Sequence, residues 1–328
     1  MKGAADCKLC RNRVIIFGMR PQIDPKVDYA FKHVFGRDES KPALISLLEA
    51  VLQPPAGERI DDIDLLNPFN DKETPDAKTS VLDIKARDQS GRQFNIEMQM
   101  VAYGAFRSRA LYYWCKLHQA QLREGDDYSL LHPTIAICFV ETPLVPELAD
   151  CHLIFELRER RHHALFTDQM ALHILELSKF HKAVDELATP LDRWLYFLRH
   201  GENLDADALP ESLNAPDVRW ALGDLMMISQ SDRERELYEA RVKARRDMNA
   251  IREDVLAAGL AEGRAEGRAE GRAEGRLEAR REDIQYLQGL LAQRITPLEE
   301  LNALSLPELE SLAFQLRAEL QAKLANRA

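Results

Sequence analysis

Asp83, Glu97 and Gln99 carry oxygen-bearing side chains and lie on the polar faces of two short strand-like runs between Ser80 and Val101. Apolar and polar residues alternate along both runs: Leu82, Ile84 and Ala86 with Asp83, Lys85 and Arg87 in the first, and Phe94, Ile96, Met98 and Met100 with Asn95, Glu97 and Gln99 in the second. Alternation with period two is typical of half-buried β-strands. The pattern predicts a hairpin that carries all three residues on its polar face.

The turn between the two runs predicts which residues face each other. If residues 89–91 form a three-residue loop with the glycine in the left-handed conformation, Asp83 faces Glu97. A two-residue loop would instead oppose Asp83 to Met98 and mix polar with apolar faces, which a buried sheet resists. We therefore expect the three-residue loop.

Two facing carboxylates favour a cation between them. Directly opposed carboxylates repel each other, and Mg²⁺ prefers oxygen ligands in an octahedral shell that water and phosphate can complete. Asp83 and Glu97 are therefore candidate ligands for Mg²⁺ or Mn²⁺. The alternative is a solvent-exposed polar hairpin face with no metal, because acidic residues are common on such faces.

The composition is that of a globular chain with a charge-rich part. It has 328 residues, of which 45% are hydrophobic and 30% are charged, enough for one large or two ordinary domains. No apolar run approaches the roughly 20 residues needed to span a bilayer, so we expect no membrane partner. The net charge of −10 argues mildly against a nucleic-acid partner. A metal-dependent nuclease, however, needs a basic surface only near its site.

Five cysteines without a dense framework predict a reducing compartment, and we expect the cytoplasm. Cys7 and Cys10 form one CxxC motif, but neither a second ligand pair for zinc nor a βαβ context accompanies it. We interpret the motif as incidental. We expect residues 1–20 to form a poorly ordered leader, and Met19 is an alternative start.

The periodicity of the following segments predicts their secondary structure. In order, the predicted elements are helices at Asp28–Phe35 and Lys41–Leu52, a strand at Ile60–Phe69, a polar loop at Asn70–Lys78, the hairpin, a helix at Tyr103–Glu124 and a strand at Thr134–Val140. The segments Cys151–Leu157 and Leu172–Leu177 fit either strands or short helical pieces. The order predicts an α/β core with a mixed sheet flanked by helices, within a domain spanning residues 21–230.

Beyond this domain the pattern becomes helical, with a charged helix beginning at Asp232 and a tetrapeptide repeat, Ala-Glu-Gly-Arg, over residues 261–276. Each glycine costs a helix about 1 kcal/mol relative to alanine. We therefore interpret residues 231–282 as a charged helix followed by a solvated, partly helical spacer; a closely packed helix face is the alternative. Leucines at helical spacing predict a helical tail over residues 283–328. The tail either packs on itself or forms a homo-oligomer through its leucine stripe.

Several motifs in order resemble the Rpn family, the recombination-promoting nucleases of the PD-(D/E)xK superfamily, which are also labelled transposases. The matching stretches are Asp28-Tyr-Ala-Phe-Lys-His-Val-Phe-Gly, Val81-Leu-Asp-Ile-Lys, Asn95-Ile-Glu-Met-Gln and Arg109-Ala-Leu-Tyr-Tyr-Trp. The resemblance covers roughly residues 20 to 240. It implies a PD-(D/E)xK restriction-endonuclease-like core, to which the chain adds a helical C-terminal region.

The resemblance also implies roles for individual residues. Asp83 and Glu97 are the metal-binding acids, and Gln99 occupies the place of the usual lysine, which it can replace only as a hydrogen-bonding group. Asp28 matches an acidic position that assists the metal. The implied activity is endonucleolytic hydrolysis of DNA phosphodiester bonds with Mg²⁺ or Mn²⁺, linked to DNA recombination or mobile elements. In that setting Lys85, Arg107 and Arg109 are candidate phosphate contacts.

Two other functions compete with the enzyme. A nuclease-derived protein that binds DNA or a partner without cutting agrees with the acidic net charge and with glutamine in place of lysine. An oligomeric interaction protein organised by the tail predicts that residues 240–328 suffice for its main activity. The Asp83 and Glu97 pair favours the enzyme, whereas the repeat favours assembly.

Overall fold

The computed structural model describes residues 20–67, 69–70, 80–81, 83–100 and 104–325. The chain forms two compact units, residues 1–244 and 245–328. Residues 1–19 of the predicted leader, with Cys7 and Cys10, and residues 71–78 of the predicted polar loop lie outside the described part.

The first unit contains eight described strands and the helices that cover them. The strands are β1 (Ile63–Leu66), β2 (Phe69–Asn70), β3 (Ser80–Val81), β4 (Ile84–Asp88), β5 (Gln93–Gln99), β6 (Thr134–Val140), β7 (His152–Glu156) and β8 (Met170–Glu176). The helices are α1 (Asp28–Phe35), α2 (Lys41–Leu52), α3 (Phe106–Gln119), α4 (Pro190–His200), α5 (Pro216–Gln230) and α6 (Asp232–Leu291), which continues into the second unit. This order confirms the predicted α/β class.

Six strands form one mixed sheet in the order β1-β4-β5-β6-β8-β7. β1, β4 and β5 pair antiparallel, β5, β6 and β8 pair parallel, and β7 returns antiparallel on β8. Every residue of β6 is buried, as expected for a central strand with both faces covered. The hairpin that carries the candidate residues is thus joined to the parallel part of the sheet through β5.

Helices cover the two faces of the sheet unequally. α1, α2, α4 and α5 pack on one face, where the Phe35 and Trp194 rings meet edge to face with centroids 5.3 Å apart. On the other face α3 packs through Phe106 and Ala110 against Cys138 of β6. The polar side of the hairpin belongs to this second face, so α3 is the helix that borders the candidate site.

The β4–β5 register is the one that the three-residue loop predicts. Lys85 pairs with Asn95 and Ile84 with Ile96. One further step along this register places Asp83 opposite Glu97. The apolar partners Ile84 and Ile96 are buried, which fixes the face of every other residue in the hairpin.

The hairpin loop is held by one buried carboxylate and one glycine. Asp88 accepts hydrogen bonds from the Ser90 backbone N–H (3.0 Å), the Arg92 backbone N–H (2.9 Å) and the Arg92 side chain (2.6 Å). Gly91 has φ +89°, and a Cβ there would lie 2.6 Å from the His132 ring. Both conformation and space therefore require glycine at this position.

Several predicted boundaries differ from the structure. The predicted strand Ile60–Phe69 is regular only over β1. Residues 80–81 pair with β2 in a separate two-stranded sheet, and the chain bends at Asp83 before β4 begins. The predicted helix Tyr103–Glu124 is shorter, and Tyr103 lies outside the described residues. It ends at Gln119 because the Gln121 side chain binds the backbone N–H and C=O of His132, both at 3.0 Å.

The two ambiguous segments are both strands, β7 and β8. α6 runs without interruption through the tetrapeptide repeat, so the separate helix predicted from Asp283 is its last part. A Cβ built on any of the glycines at 263, 267, 271 and 275 would meet no atom within 4 Å apart from the adjacent residues and backbone of its own helix. The described residues thus provide no packing partner for the repeat, which is a solvated helix.

The second unit has a small core of its own. The end of α6 packs with α7 (Leu298–Asn302) and α8 (Leu306–Ala325) around fully buried Ile284, Leu301 and Leu309. The tail leucines therefore pack within the unit, as the first of the two alternatives predicts. Self-association through the same stripe stays a prediction. No helix in the described ranges is both long enough and apolar enough to cross a membrane.

Two histidines join β7 to β8 inside the first unit. His152 Nε2 lies 3.0 Å from His173 Nδ1, and His173 is 5% exposed. Burial, with a further contribution from His152, lowers the pKa of His173 from 6.5 to about 4, and burial also lowers the pKa of His152. Because the folded pKa is below the unfolded value, the fold favours the neutral imidazole. Its contribution to stability is present above pH 6.5 and is lost as the pH falls towards 4.

We expect the difference in unfolding free energy between wild type and His173→Gln to shrink on acidification. Between pH 7.5 and pH 5 the wild type should lose about 2 kcal/mol more than the variant, because glutamine does not titrate. Urea denaturation at the two pH values measures this. His162→Gln, which removes an exposed histidine, is the control and should follow the wild type. Parallel losses in wild type and His173→Gln would contradict the assignment.

Candidate active site

Asp83 and Glu97 hold each other in place through the backbone. Asp83 Oδ2 accepts a hydrogen bond from the Met98 N–H at 2.9 Å. The Asp83 N–H in turn donates to the Glu97 carboxylate, which also receives a hydrogen bond from the Asn95 side chain. The antiparallel register therefore brings the two acids together and fixes both carboxylates before any ligand binds.

The positive charges near the two acids do not offset the effect of burial on their pKa values. Burial raises the pKa of Asp83, against the charge of Lys32 and the Met98 hydrogen bond, which lower it. Burial and then the Asp83 charge raise the pKa of Glu97, against Arg109. Glu97 Oε1 is buried and makes no hydrogen bond. A buried carboxylate oxygen without a donor is costly, and the site can relieve that cost by taking up a proton or a cation.

A lysine links Asp28 to this pair. Lys32 Nζ lies 2.6 Å from Asp28 Oδ1 and 3.1 Å from Asp83 Oδ1. Asp28 and Lys32 are one helical turn apart on α1, the spacing at which opposite charges meet. Burial lowers the pKa of Lys32, but the two carboxylates outweigh it and the pKa is raised. The ammonium group therefore stays charged between them.

Gln99, at the end of β5, is oriented by α3. Its Oε1 accepts a hydrogen bond from the Arg109 guanidinium, which also lies 5.5 Å from the centroid of the Phe106 ring. The Arg109 charge lowers the pKa of Glu97. Arg109, predicted as a DNA contact, thus faces into the acidic cluster, and it fixes the Gln99 amide.

The other two predicted DNA contacts lie on β4 and at the start of α3. Lys85 is half-buried on β4, opposite Asn95 and on the same face as Asp83. Arg107 is exposed at the start of α3 and donates a hydrogen bond to the Leu144 carbonyl.

Three residues near the acids were not predicted from the sequence as site residues. Lys32 bridges Asp28 and Asp83, and Cys138 is the β6 partner of Glu97 in the parallel register. Tyr113 on α3 lies near the pair, because the Glu97 and Asp83 charges contribute to the rise of its pKa, after burial. Of the three, only Lys32 could have been recognised from the sequence, because it lies four residues after an aspartate. The other two depend on how β6 and α3 pack.

The family that these features indicate is also found by comparison. The sequence model of the PD-(D/E)XK nuclease family transposases matches residues 25–254. The chain belongs to this family. No curated protein and no solved structure matches it. The matched range includes the whole six-stranded sheet and every predicted site residue, so the mixed sheet of this chain is a PD-(D/E)XK-like fold.

Divalent metals are the usual cofactors of PD-(D/E)XK nucleases, and the donor set of this family member fits one only in part. In the described portion of the chain no three His, Cys, Asp or Glu residues converge as a metal site. Asp83 and Glu97 nevertheless provide carboxylate oxygens, and Glu97 Oε1 is a buried acceptor without a partner. Two carboxylates completed by water and substrate oxygens form the kind of site that Mg²⁺ uses.

Burial and repulsion from Asp83 disfavour the charged form of Glu97 more than Arg109 favours it. Removing the Glu97 charge should therefore stabilise the metal-free protein. We expect Glu97→Gln to raise the unfolding free energy by about 1 kcal/mol at pH 7.5 with a chelator, since the amide oxygen keeps an acceptor for the Asp83 N–H. Urea denaturation provides the measurement. Glu147→Gln, at an exposed position, should change it by less than about 0.5 kcal/mol. A clear destabilisation by Glu97→Gln would mean that the carboxylate serves the fold.

Proposed function

We propose that the protein is a metal-dependent DNA endonuclease in which Asp83 and Glu97 hold Mg²⁺ or Mn²⁺. The observation that carries the proposal is the half-buried, facing carboxylate pair, with the buried Glu97 Oε1 left without a donor, in a member of a nuclease family. In a purely structural role such a pair would destabilise the fold, because each carboxylate charge raises the free energy of the other. A dication at this position turns the same arrangement into a stable site.

The reaction is hydrolysis of a phosphodiester. A water oxygen forms a bond to phosphorus, the bond from phosphorus to one sugar oxygen breaks, and a proton from the water is balanced by a proton gained by the leaving oxygen. When bound, the dication makes the water more acidic and neutralises charge on the phosphate. Asp83 and Glu97 hold it, and Gln99, fixed by Arg109, orients the water or a phosphate oxygen through its amide.

Contacts to the DNA backbone complete the proposal. Lys85 on the face of the carboxylates and exposed Arg107 at the start of α3 supply charge for phosphates on either side of the reacting one. Such contacts are independent of base sequence, so they position the duplex without selecting a target. With a net charge of −10, the rest of the surface does little to hold DNA.

The biological setting follows from the motifs that resemble the Rpn family. We propose that cleavage serves DNA recombination or the movement of genetic elements, and that it occurs in the cytoplasm. The described residues contain one nuclease-like core, and nothing in the proposal requires strand transfer.

Replacing Asp83 by asparagine should abolish cleavage while the fold is kept. With Mg²⁺ we expect wild type to nick or linearise supercoiled plasmid, and Asp83→Asn to be at least about 1,000-fold slower, because a metal ligand and half of the acidic pair are lost. EDTA should stop the wild type. Asp64→Asn on β1, which removes an exposed aspartate paired with Arg87 at 3.1 Å, is the matched control and should cut normally.

Two results would contradict the proposal. Cleavage by Asp83→Asn at the wild-type rate would show that the site is elsewhere or that the preparation contains another nuclease. A wild type that binds DNA but cuts no substrate with any dication would favour the non-cutting binding protein.

A further inference from the structure

Helix α1 brings a positive charge into direct contact with the carboxylate pair. Lys32 Nζ lies 3.1 Å from Asp83 Oδ1, whereas the residue on β5 after Glu97 and Met98 is Gln99, which carries no charge. Arg109 supplies the second cation of the cluster, but its guanidinium is bound to the Gln99 amide. Of these two cations, Lys32 is the one in direct contact with a carboxylate of the pair.

The position of Lys32 is set by both its helix and its neighbour. α1 is fixed by Phe31, Val34 and Phe35, which are fully buried in the core. Asp28, one turn earlier, holds the ammonium at 2.6 Å. The Lys32 side chain is 37% exposed, so its end borders both the acids and solvent. The ammonium is therefore open to a phosphate from solvent while it lies beside Asp83.

A dication between Asp83 and Glu97 would change the partners of Lys32 without removing it from the site. The dication would repel the ammonium from Asp83, whereas the Asp28 carboxylate, 2.6 Å from Lys32 Nζ, would retain it. The ammonium would then lie beside the metal with its donors turned away from Asp83. A substrate phosphate carries the negative charge that such a group binds.

We propose that Lys32 is a catalytic residue that binds the reacting phosphate in place of the lysine absent at position 99, and that Asp28 is a positioning residue for Lys32. This inference rests on the proposed nuclease function. It assigns Asp28 a different role from metal ligand. No proton or covalent transfer is required of Lys32, which acts as a hydrogen-bond donor and a fixed charge.

The test separates metal binding from catalysis in the full-length protein. The variants are Lys32→Met, Lys32→Arg and Asp28→Asn, with Asp83→Asn as the reference for a lost metal ligand. The matched control is Lys41→Met, which removes a lysine of α2 paired with Asp38 at 3.3 Å. Calorimetry gives the Mn²⁺ dissociation constant without DNA, single-turnover assays give the cleavage rate at saturating Mn²⁺, and denaturation confirms that each variant folds.

We expect Lys32→Met to bind Mn²⁺ as tightly as wild type or more tightly, because a competitor for Asp83 is removed. Its cleavage rate should fall about 100-fold or more, as for loss of a charge-stabilising donor. Lys32→Arg should recover at least tenfold of that loss. Asp28→Asn should keep the Mn²⁺ dissociation constant within threefold while cleavage falls about tenfold. Lys41→Met should change neither quantity.

Two outcomes overturn the inference: cleavage by Lys32→Met within threefold of wild type, or an Asp28→Asn variant that loses Mn²⁺ as Asp83→Asn does. A wild type that cuts no DNA defeats the proposed nuclease function and, with it, the catalytic role of Lys32. Even then the Mn²⁺ affinity of Asp28→Asn decides whether Asp28 is a ligand or holds the lysine. The two failures are therefore distinguishable.

Discussion

The site depends on the antiparallel register of β4 and β5. A slip of one residue would turn Asp83 and Glu97 to different faces and would move either Ile84 or Ile96 out of the apolar core. Two features prevent the slip. The buried isoleucines fix the faces, and the loop fixes the pairing through the Asp88 carboxylate and the left-handed Gly91. The chemistry of the acids is thus determined by a turn at the other end of the same hairpin.

Helices α1 and α3 place positively charged side chains beside this hairpin. α1 brings Lys32 to one acid, and α3 brings Arg109 towards the other while binding Gln99. These two positive groups reduce the repulsion between the carboxylates without saturating them, since Glu97 Oε1 keeps no donor. Incomplete compensation of this kind is expected where a site must accept a further charged group. A purely structural ion pair would satisfy its oxygens.

Sequence reasoning succeeded where the signal was local. The bounds of α1, α2 and β6 and the hairpin register follow from periodicity, Gly36, Gly91 and the proline near the start of α2, each within a few residues. The contacts of Lys32 with Asp83 and of Arg109 with Gln99 could not be predicted, because they depend on how α1 and α3 dock on the sheet. The early end of α3 has the same origin, since Gln121 binds the distant backbone of His132.

The tetrapeptide repeat is helical throughout, whereas its sequence predicts a spacer that is only partly helical. Alanine, glutamate and arginine fill the other three positions of each repeat and are strong helix formers. The summed helix propensity of these three residues outweighs the unfavourable propensity of the glycine, which explains why α6 is uninterrupted. The solvated character was anticipated, because the repeat has no apolar residue larger than alanine to bury.

The most direct test of the account is the position of a bound metal. A crystal of wild-type protein soaked in Mn²⁺ and measured at the manganese absorption edge locates the ion by its anomalous signal. We predict a single strong peak within about 2.2 Å of carboxylate oxygens of both Asp83 and Glu97, with Lys32 still bound to Asp28. A fully occupied peak elsewhere in the first unit, or a peak liganded by Asp28 and not by Glu97, would contradict it.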